Sequence, residues 1–244
     1  MRFITFFILF FTLIVARADE IKVGITPFSP PFIMGSDNKG HYTGFDSELI
    51  NEICRRINAQ CEFKPMKSYL NFFDEILNDS VDIGIGGVTI TAEREKVYIF
   101  SLPYLTSSIR YMTYYNSKIN SIDDIRGKVL GITSGTIFPS IAKAQFGDSI
   151  TIKYYKNNSL MLDALANEEI DATLLDGPNA IYWDSNNNKT YKLVGKTLQM
   201  GLGYGIIANN HNQDIIKRIN EALLAMQTDG SYLKIYNTYF SGIE

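Results

Sequence analysis

The sequence predicts an α/β protein of two similar lobes, each a mainly parallel sheet flanked by helices. Short apolar strands alternate with helices along the chain, which is the pattern of a parallel sheet. The same alternation begins a second time near residue 108. Of the 244 residues, 45% are hydrophobic and 20% are charged, so the chain has enough apolar material for a sizeable core.

The first unit has the order strand, helix, strand, helix, strand. Its predicted elements are a strand at residues 21–25, a helix capped by Asp46, a strand at 61–66, a helix at 69–78 and a strand at 81–85. The helices should cover the sheet with apolar residues at helical spacing, which are Leu49, Ile50, Ile53, Ile57, Leu70, Phe73, Ile76 and Leu77.

The second unit repeats this plan. Its predicted elements are strands at 110–115, 129–132, 150–155 and 171–175, a helix at 136–145 and a helix capped by Ser159. A strand at 204–208 and two closing helices are left over to complete the first lobe. Lobe 1 is therefore expected at residues 19–107 and 202–244, and lobe 2 at 108–201. No flexible linker separates them, so paired extended strands should join the lobes.

The first 18 residues have the pattern of a cleavable signal peptide. Met1-Arg2 precedes an apolar run at residues 3–15, and Ala16-Arg17-Ala18 has the small-x-small pattern of a cleavage site. A retained N-terminal anchor is the alternative. Cleavage before Asp19 would leave an exported, soluble protein.

Composition and missing motifs exclude several classes of function. Lys and Arg number 23 against 26 Asp and Glu, a net charge of −3, which does not fit a polybasic nucleic-acid binder. His41 and His211 have no Cys or His at ligand spacing, so neither a metal site nor a Cys–His nucleophile is expected. Serine-hydrolase, zinc-protease, P-loop and dinucleotide motifs are absent, and no cofactor is expected.

The two cysteines, Cys54 and Cys61, predict a disulfide. An isolated even pair in an exported chain is paired by default. Cys54 falls near the end of a predicted helix and Cys61 at the start of a predicted strand, so a short turn can bring them together. Closing such a small loop should stabilise the fold by about 2 kcal/mol.

Loops after predicted strands carry the candidate binding residues. Gly86 and Gly87 let a ligand approach the backbone, Thr89 offers a hydroxyl, and Arg94 can grip a carboxylate with two parallel hydrogen bonds. The alternative is a turn before a capped helix that carries a surface arginine.

In the second unit, residues 133–136 lead into a helix N-terminus, which favours an anion, although simple capping explains the loop equally. Asp176 ends a strand and can pair with an ammonium group, or can be a turn residue before Gly177-Pro178. Tyr69 and Phe28 offer stacking faces, although most aromatic residues in such a chain are packing.

Five stretches of the chain resemble one family. They are GFDSELINEICRRI, VDIGIGGVTITAEREKVYIFSLPY, GKVLGITSGT, IDATLLDGPNAIY and DGSYLKIYNTYF. In this order they closely resemble the bacterial extracytoplasmic amino-acid-binding proteins of solute-binding family 3, the receptors of polar amino-acid ABC transporters. The resemblance spans residues 21–240 and is most specific around Thr89, Thr91, Glu93 and Arg94. It implies the type II periplasmic-binding-protein fold, with two lobes joined by two crossover strands.

The resemblance also implies roles for individual residues. Arg94, helped by Thr89 and nearby backbone, matches the arginine that clamps the ligand α-carboxylate. Asp176 matches the acid that receives the α-ammonium group, and Tyr69 the ring that sandwiches the side chain. The other matching positions are Gly86 and Gly87 in the adjoining loop, Thr133, Ser134 and Thr136 in the second-lobe loop that closes on the carboxylate, and Cys54 and Cys61, which look like the disulfide of the lysine/arginine/ornithine and histidine binders.

Three positions depart from the family pattern. Thr26 stands where binders of cationic ligands commonly have Asp or Glu, and Ile137 occupies a position that is usually polar. Ser29 stands where a stacking aromatic ring is expected, although Phe28 is one residue away. We therefore expect an intact amino-acid clamp and an altered side-chain pocket around Thr26, Phe28 and Ser29.

The resemblance implies a periplasmic, monomeric receptor that closes on a free L-amino acid and presents it to the permease and ATPase subunits of an ABC transporter. The expected ligand is basic or polar. The disulfide favours arginine or lysine, whereas Thr26 favours a less charged amino acid such as glutamine. Two alternatives stay open: an enzyme like the periplasmic cyclohexadienyl dehydratases, with Asp176 as its acid, and a sensory ligand-binding protein.

Overall fold

A computed structural model describes residues 19–26, 28–37, 41–186 and 188–241. Across these residues the chain forms two five-stranded sheets flanked by helices, and a small two-stranded ribbon. The predicted α/β fold with two sheets is therefore confirmed. The predicted signal peptide, residues 1–18, lies outside the described residues.

The elements follow one another along the chain with short connections. The strands are β1 (Asp19–Ile25), β2 (Gly35–Ser36), β3 (Tyr42–Thr43), β4 (Ala59–Pro65), β5 (Ile83–Ile85), β6 (Ile99–Phe100), β7 (Ser108–Tyr114), β8 (Val129–Thr133), β9 (Thr151–Tyr155), β10 (Ala172–Asp176), β11 (Tyr191–Gln199) and β12 (Ile207–Ala208). The α-helices are α1 (Phe45–Arg56), α2 (Tyr69–Leu77), α3 (Phe138–Phe146), α4 (Asn158–Ala166), α5 (Gly177–Ser185), α6 (Gln213–Asp229) and α7 (Ser231–Phe240).

The first sheet has the order β4-β1-β5-β12-β6. Strand β1 runs parallel to β4 and β5, and β12 runs antiparallel to both of its neighbours. Alternate β1 residues point into a core shared with α1, α6 and α7. On the other face α2 packs closely, because a Cβ at Gly84 would overlap the ring of Phe72. The parallel register pairs Ile25 with Ile85, so both strands end at the same edge.

The second sheet has the order β11-β7-β10-β8-β9. Strand β8 runs parallel to β9 and β10, and β7 runs antiparallel to both of its neighbours. Helix α3 packs on one core cluster, and α4 and α5 pack on another. The β8–β10 register brings Thr133 and Asp176, the last residues of the two strands, to one edge. Carboxyl ends of parallel strands are where α/β proteins commonly bind ligands.

The chain passes between the two sheets twice, at residues 101–107 and 200–206, and we call these the crossing segments. They pair antiparallel through a bridge between Leu105 and Tyr204. The backbone N–H of Tyr204 donates to Leu105 at 2.7 Å, and that of Met200 donates to Ser107 at 3.0 Å. The prediction that paired extended segments connect the sheets is confirmed.

Cys54 and Cys61 form the predicted disulfide, which confirms that pairing. It joins α1 to the third residue of β4, with the two Cα atoms 6.1 Å apart. This separation lies in the ordinary range for disulfides. None of the helices in the described part of the chain is both long and apolar enough to cross a membrane.

Two predicted helix caps are wrong. Helix α1 begins at Phe45, so Asp46 lies inside its first turn, and the Asp46 carboxylate accepts hydrogen bonds from elsewhere in the fold. Helix α4 is capped by Asn157, whose side chain accepts from the N–H of Leu160, and not by Ser159. The first error arises because an acid in the first turn of a helix has the pattern of a cap, and the second because Asn and Ser are interchangeable as caps in sequence patterns.

Helix α2 buries only part of the predicted face: Ile76 is buried and Phe73 packs against the same core, as predicted. Phe72 and Ile76 are buried, whereas Leu70 and Leu77 are 54% and 41% exposed. Helix α5 and strand β11 were not predicted. The first begins with Gly-Pro, a turn signal, and the second, YKLVGKTLQ, lacks a regular alternation of apolar residues.

Candidate ligand-binding site

Loops from both sheets surround one narrow cavity, of which about 30 Å³ can hold the centre of a water molecule. Four of the twelve predicted ligand-binding residues are not part of its wall: Gly87, Thr89, Arg94 and Ser134. The wall consists of Thr26, Phe28, Ser29, Tyr69, Gly86, Thr133, Thr136, Phe138, Asn157, Asn158 and Asp176.

A larger cavity, of about 710 Å³, lies between the crossing segments and α7, and none of the described residues in its wall is charged. A free amino acid carries two opposite charges that need partners when they leave water. The narrow cavity, whose wall includes Asp176, is therefore the better candidate for such a ligand.

The loop after β5 approaches its neighbours so closely that glycine is required. Gly86 and Gly87 have φ angles of 148° and 65°. A Cβ at Gly86 would lie 2.5 Å from Oγ1 of Thr26. The backbone N–H of Gly87 donates to Oδ2 of Asp46 at 3.1 Å. The loop is therefore held from β1 on one side and from α1 on the other.

Arg94 is fixed beside this loop and is half-buried. It begins a short 3-10 helix (Arg94–Lys96), and its Nη1 donates to the carbonyl oxygen of Thr89 at 2.9 Å. Its guanidinium carbon lies 4.7 Å from the centre of the Phe73 ring. Its charge acts on the two cavity residues Tyr69 and Asp176, opposing the rise in pKa that burial causes in each. An arginine held in this way differs from the freely solvated surface side chain that was the alternative.

Asp176 ends β10 and faces the cavity. It stands before the first residue of α5, but its side chain makes no capping hydrogen bond. Its Oδ1 accepts a hydrogen bond from the Tyr204 hydroxyl at 2.9 Å. Burial raises the pKa of Asp176 to about 7, against the opposing effects of the Tyr204 hydrogen bond and of the Arg94 charge. A cation beside it would stabilise the ionised carboxylate.

The second-sheet loop, residues 133–136, is held by hydrogen bonds to its own part of the chain. Thr133 donates through Oγ1 to Asn158 at 2.7 Å, and Thr136 donates through Oγ1 to the Thr133 carbonyl at 2.8 Å. The N–H of Ser134 donates to Tyr155 at 2.8 Å. Helix α3 begins at Phe138, two residues later than predicted, so Thr136 lies in the loop.

Two contacts join the first-sheet side to the second-sheet side near the cavity. Gly135, with φ 85°, lies against Leu70 of α2. The ring of Phe28 is 43% exposed and meets the edge of Trp183, with centroids 6.1 Å apart. Tyr69 stacks on Phe72, with centroids 6.0 Å apart and planes within 10°.

Two of the three residues that depart from the family pattern, Thr26 and Ser29, line the β1 side of the cavity, and the third, Ile137, precedes α3 and is not among the described residues of the wall. Thr26 is buried, and its Oγ1 has no hydrogen-bond partner among the described residues. Ser29 is also buried and accepts a hydrogen bond at 3.1 Å from Nδ2 of Asn179. The same Nδ2 donates to the Pro30 carbonyl at 2.6 Å, so α5 is tied to the loop after β1.

Four residues near the site were not predicted to belong to it: Asp46, which was predicted only as a helix cap, Asn179, and the two tyrosines of the crossing segments, Tyr104 and Tyr204. The carboxylate of Asp46 is fully buried, accepts from the Tyr104 hydroxyl at 3.1 Å, and has its pKa raised to about 7 by burial. An acid in the first turn of a helix has the pattern of a cap, so no local signal marks it as buried. The tyrosines lie in extended segments, where aromatic residues are ordinary core.

Comparison with known proteins agrees with the geometry. Residues 21–242 match the family model of the bacterial extracellular solute-binding proteins, family 3. The chain is 28% identical to the putative ABC transporter arginine-binding protein 2 of Escherichia coli K12, over 94% of each chain.

Two solved structures are also similar. An arginine 3rd transport system periplasmic binding protein from Legionella pneumophila has a TM-score of 0.87 and 37% identity, covering 91% of this chain and 100% of its own. An ancestral arginine-binding protein bound to glutamine has a TM-score of 0.84 and 30% identity, covering 92% and 99%. The chain therefore belongs to family 3 of the bacterial extracellular solute-binding proteins.

Proposed function

We propose that the protein is the amino-acid receptor of an ABC importer. The observation that carries this proposal is a pair of opposite charges, with Asp176 in the wall of the narrow cavity and Arg94 beside the loop that carries Gly86. Arg94 lies on the side of the first sheet and Asp176 on the side of the second, and the charge of Arg94 acts on the Asp176 carboxylate. A free amino acid carries a carboxylate and an ammonium group on one carbon, so it can pair with both residues at once.

The carboxylate would be held mainly by Arg94. Its guanidinium can offer two parallel hydrogen bonds, and its Nη1 bond to Thr89 and its contact with Phe73 fix its plane. The backbone at Gly86, which forms part of the cavity wall, would assist from the first sheet. The second-sheet loop, with Thr133, Ser134 and Thr136, would close over the same group.

Binding would be coupled to closure of two lobes, residues 19–107 with 202–244 and residues 108–201, about the crossing segments. An amino acid that bridges Arg94 and Asp176 contacts both lobes only when they are closed, so it stabilises that state alone. In the periplasm, the closed form would then dock on the permease of an ABC transporter, which the ATPase subunits drive.

The side-chain pocket supports a basic or polar amino acid. Beyond Asp176, its described wall offers hydroxyls and amides rather than a second acid: Thr26, Ser29, Asn157 and Asn158. Tyr69 and Phe28 offer ring faces for an alkyl chain or a guanidinium. Arginine or lysine is the first choice, supported by the arginine-binding relatives, and glutamine is the second, supported by the glutamine-bound ancestral protein.

A thermal-shift screen of the mature chain against the L-amino acids tests the proposal. An amino acid at a thousand times its Kd should stabilise the fold by about 4 kcal/mol, which is a shift of several degrees. We expect arginine, lysine or glutamine to give the largest shift. No shift with any amino acid would overturn the proposal, and prephenate turnover would support the dehydratase alternative.

A further inference from the structure

Tyr204 connects a crossing segment to the candidate site. Its side chain is fully buried, and its ring packs edge-on against Phe32 with centroids 5.3 Å apart. Its backbone N–H donates to the Leu105 carbonyl, and its hydroxyl donates to Oδ1 of Asp176 at 2.9 Å. The residue is thus fixed at its ring and backbone while its hydroxyl touches the acid of the cavity.

The Tyr204 hydroxyl has one proton and two acceptors. Besides Asp176, the Ser108 carbonyl oxygen lies 3.0 Å away, and the N–H of Ser108 donates to the hydroxyl oxygen at 3.4 Å. An ionised carboxylate is a stronger acceptor than a carbonyl group. The Tyr204 O–H therefore donates its hydrogen bond to Asp176 when that residue is ionised. When Asp176 is protonated, the O–H can donate to the Ser108 carbonyl instead.

We propose that Tyr204 is a positioning residue, which occupies Oδ1 of Asp176 and so directs Oδ2 at the α-ammonium group of the bound amino acid. This inference rests on the proposed function, because it concerns the acid that would receive that group. The same bond favours the charged form of Asp176, since burial raises its pKa to about 7 and the Tyr204 hydrogen bond is the largest opposing effect.

The crossing segments supply a matched control. Tyr104 is buried opposite Tyr204, its N–H donates to the Tyr204 carbonyl at 2.9 Å, and its hydroxyl also donates to a buried acid, Asp46. Asp46 is fully buried and bonds the Gly87 backbone, so it is outside the cavity wall. Tyr104→Phe removes an equivalent hydroxyl without touching the ammonium-binding acid.

The experiment measures Kd by calorimetry for L-arginine and L-glutamine between pH 5.5 and 8.5. For whichever of the two amino acids binds more tightly, Tyr204→Phe should raise the Kd about tenfold at pH 6. The increase should be smaller at pH 8.5, because Asp176 of the variant would ionise at a higher pH than that of wild type. In Tyr104→Phe, the midpoint of the dependence of Kd on pH should be the same as in wild type. 5-Guanidinopentanoate, which is arginine without its α-amino group, should bind wild type and Tyr204→Phe equally.

A second measurement determines the titration midpoint of the Asp176 carboxyl group directly. The charged or titratable groups that interact with it are Arg94, Tyr69, Tyr204 and Asp46. Because Asp46 also has its pKa raised to about 7, carbon-13 NMR of the carboxyl groups is needed to separate the two acids. In Tyr204→Phe the Asp176 midpoint should rise by half a unit or more while the Asp46 midpoint stays in place.

The outcomes separate this inference from the proposed function. If Asp176→Asn loses affinity while Tyr204→Phe keeps wild-type affinity and an unchanged Asp176 midpoint, the positioning role is wrong and the function stands. If Asp176→Asn binds like wild type, Asp176 is not the ammonium partner, and this inference fails while amino-acid binding stands. If no L-amino acid binds wild type, the proposed function fails and this inference fails with it.

Discussion

Asp46 and Asp176 are two carboxylates in similar surroundings on opposite sides of the cavity. Each accepts a hydrogen bond from a tyrosine of a crossing segment, Asp46 from Tyr104 and Asp176 from Tyr204. Burial raises the pKa of each to about 7. They differ in access, because Asp46 is fully buried against the Gly87 backbone and Asp176 forms part of the cavity wall.

The comparison shows that a raised pKa and a tyrosine partner do not by themselves identify a binding residue. Both features follow from burial of an acid near the crossing segments. The Oδ2 atom of Asp46 accepts a hydrogen bond from the loop that carries Gly86 and Gly87, so Asp46 acts on the ligand only through that loop. Asp176 keeps an oxygen that can face a ligand.

Removing Asp176 should give the largest loss of affinity. Asp176→Ala leaves the ammonium group of the amino acid without a partner in a closed cavity, which costs about 2–5 kcal/mol. Affinity measured by calorimetry should fall at least 30-fold, while the melting temperature without ligand stays close to that of wild type. Equal affinities would show that Asp176 merely ends a strand.

Removing Asp46 should reduce the stability of the fold rather than the affinity for the amino acid. Asp46→Ala leaves the buried Tyr104 hydroxyl without its carboxylate acceptor and the Gly87 N–H with only its 3.3 Å bond to that hydroxyl. A buried polar group left unsatisfied costs about 1–3 kcal/mol. Urea denaturation without ligand should therefore show a loss of about 2–4 kcal/mol in the free energy of unfolding. A stable Asp46→Ala variant with strongly reduced affinity would contradict the division of roles.

A smaller effect concerns pH. Because the folded pKa of Asp46 is raised from 3.8 to about 7, its favourable contribution to stability is present below pH 4 and declines as pH rises towards 7. Asp46→Asn cannot ionise, so its stability relative to wild type should improve by about 1 kcal/mol or more between pH 5 and pH 8. Urea denaturation at both pH values measures this, and a constant difference would contradict the raised pKa.

The sequence was sufficient for the features that depend on local patterns. The repeated strand–helix order predicted both sheets, and the isolated cysteine pair predicted the Cys54–Cys61 disulfide. The loops that bound the cavity were found because parallel strands must end together, which places Gly86 and Asp176 at sheet edges.

What the sequence could not predict depends on contacts between distant residues. Asp46 and Tyr104 are 58 positions apart, and Tyr204 and Asp176 are 28 apart, so no local spacing links them. Asn179 lies in a helix that begins with a turn signal, and its bond to Ser29 spans 150 positions. Leu70 has the spacing of a core residue, but it covers Gly135 of the facing loop rather than the sheet.

The most direct test of the central claim is the contribution of Arg94, measured with an amino acid and with its amide. An amino-acid amide lacks the carboxylate charge that Arg94 would grip. Arg94→Lys should lose about 1–3 kcal/mol of binding free energy for the free amino acid, and Arg94→Ala more, with the unliganded melting temperature nearly unchanged. The amide should bind wild type weakly, and neither Arg94→Lys nor Arg94→Ala should change its binding free energy appreciably. If Arg94→Ala binds free L-arginine, L-lysine and L-glutamine as tightly as wild type, Arg94 does not hold the carboxylate and the proposed clamp is wrong.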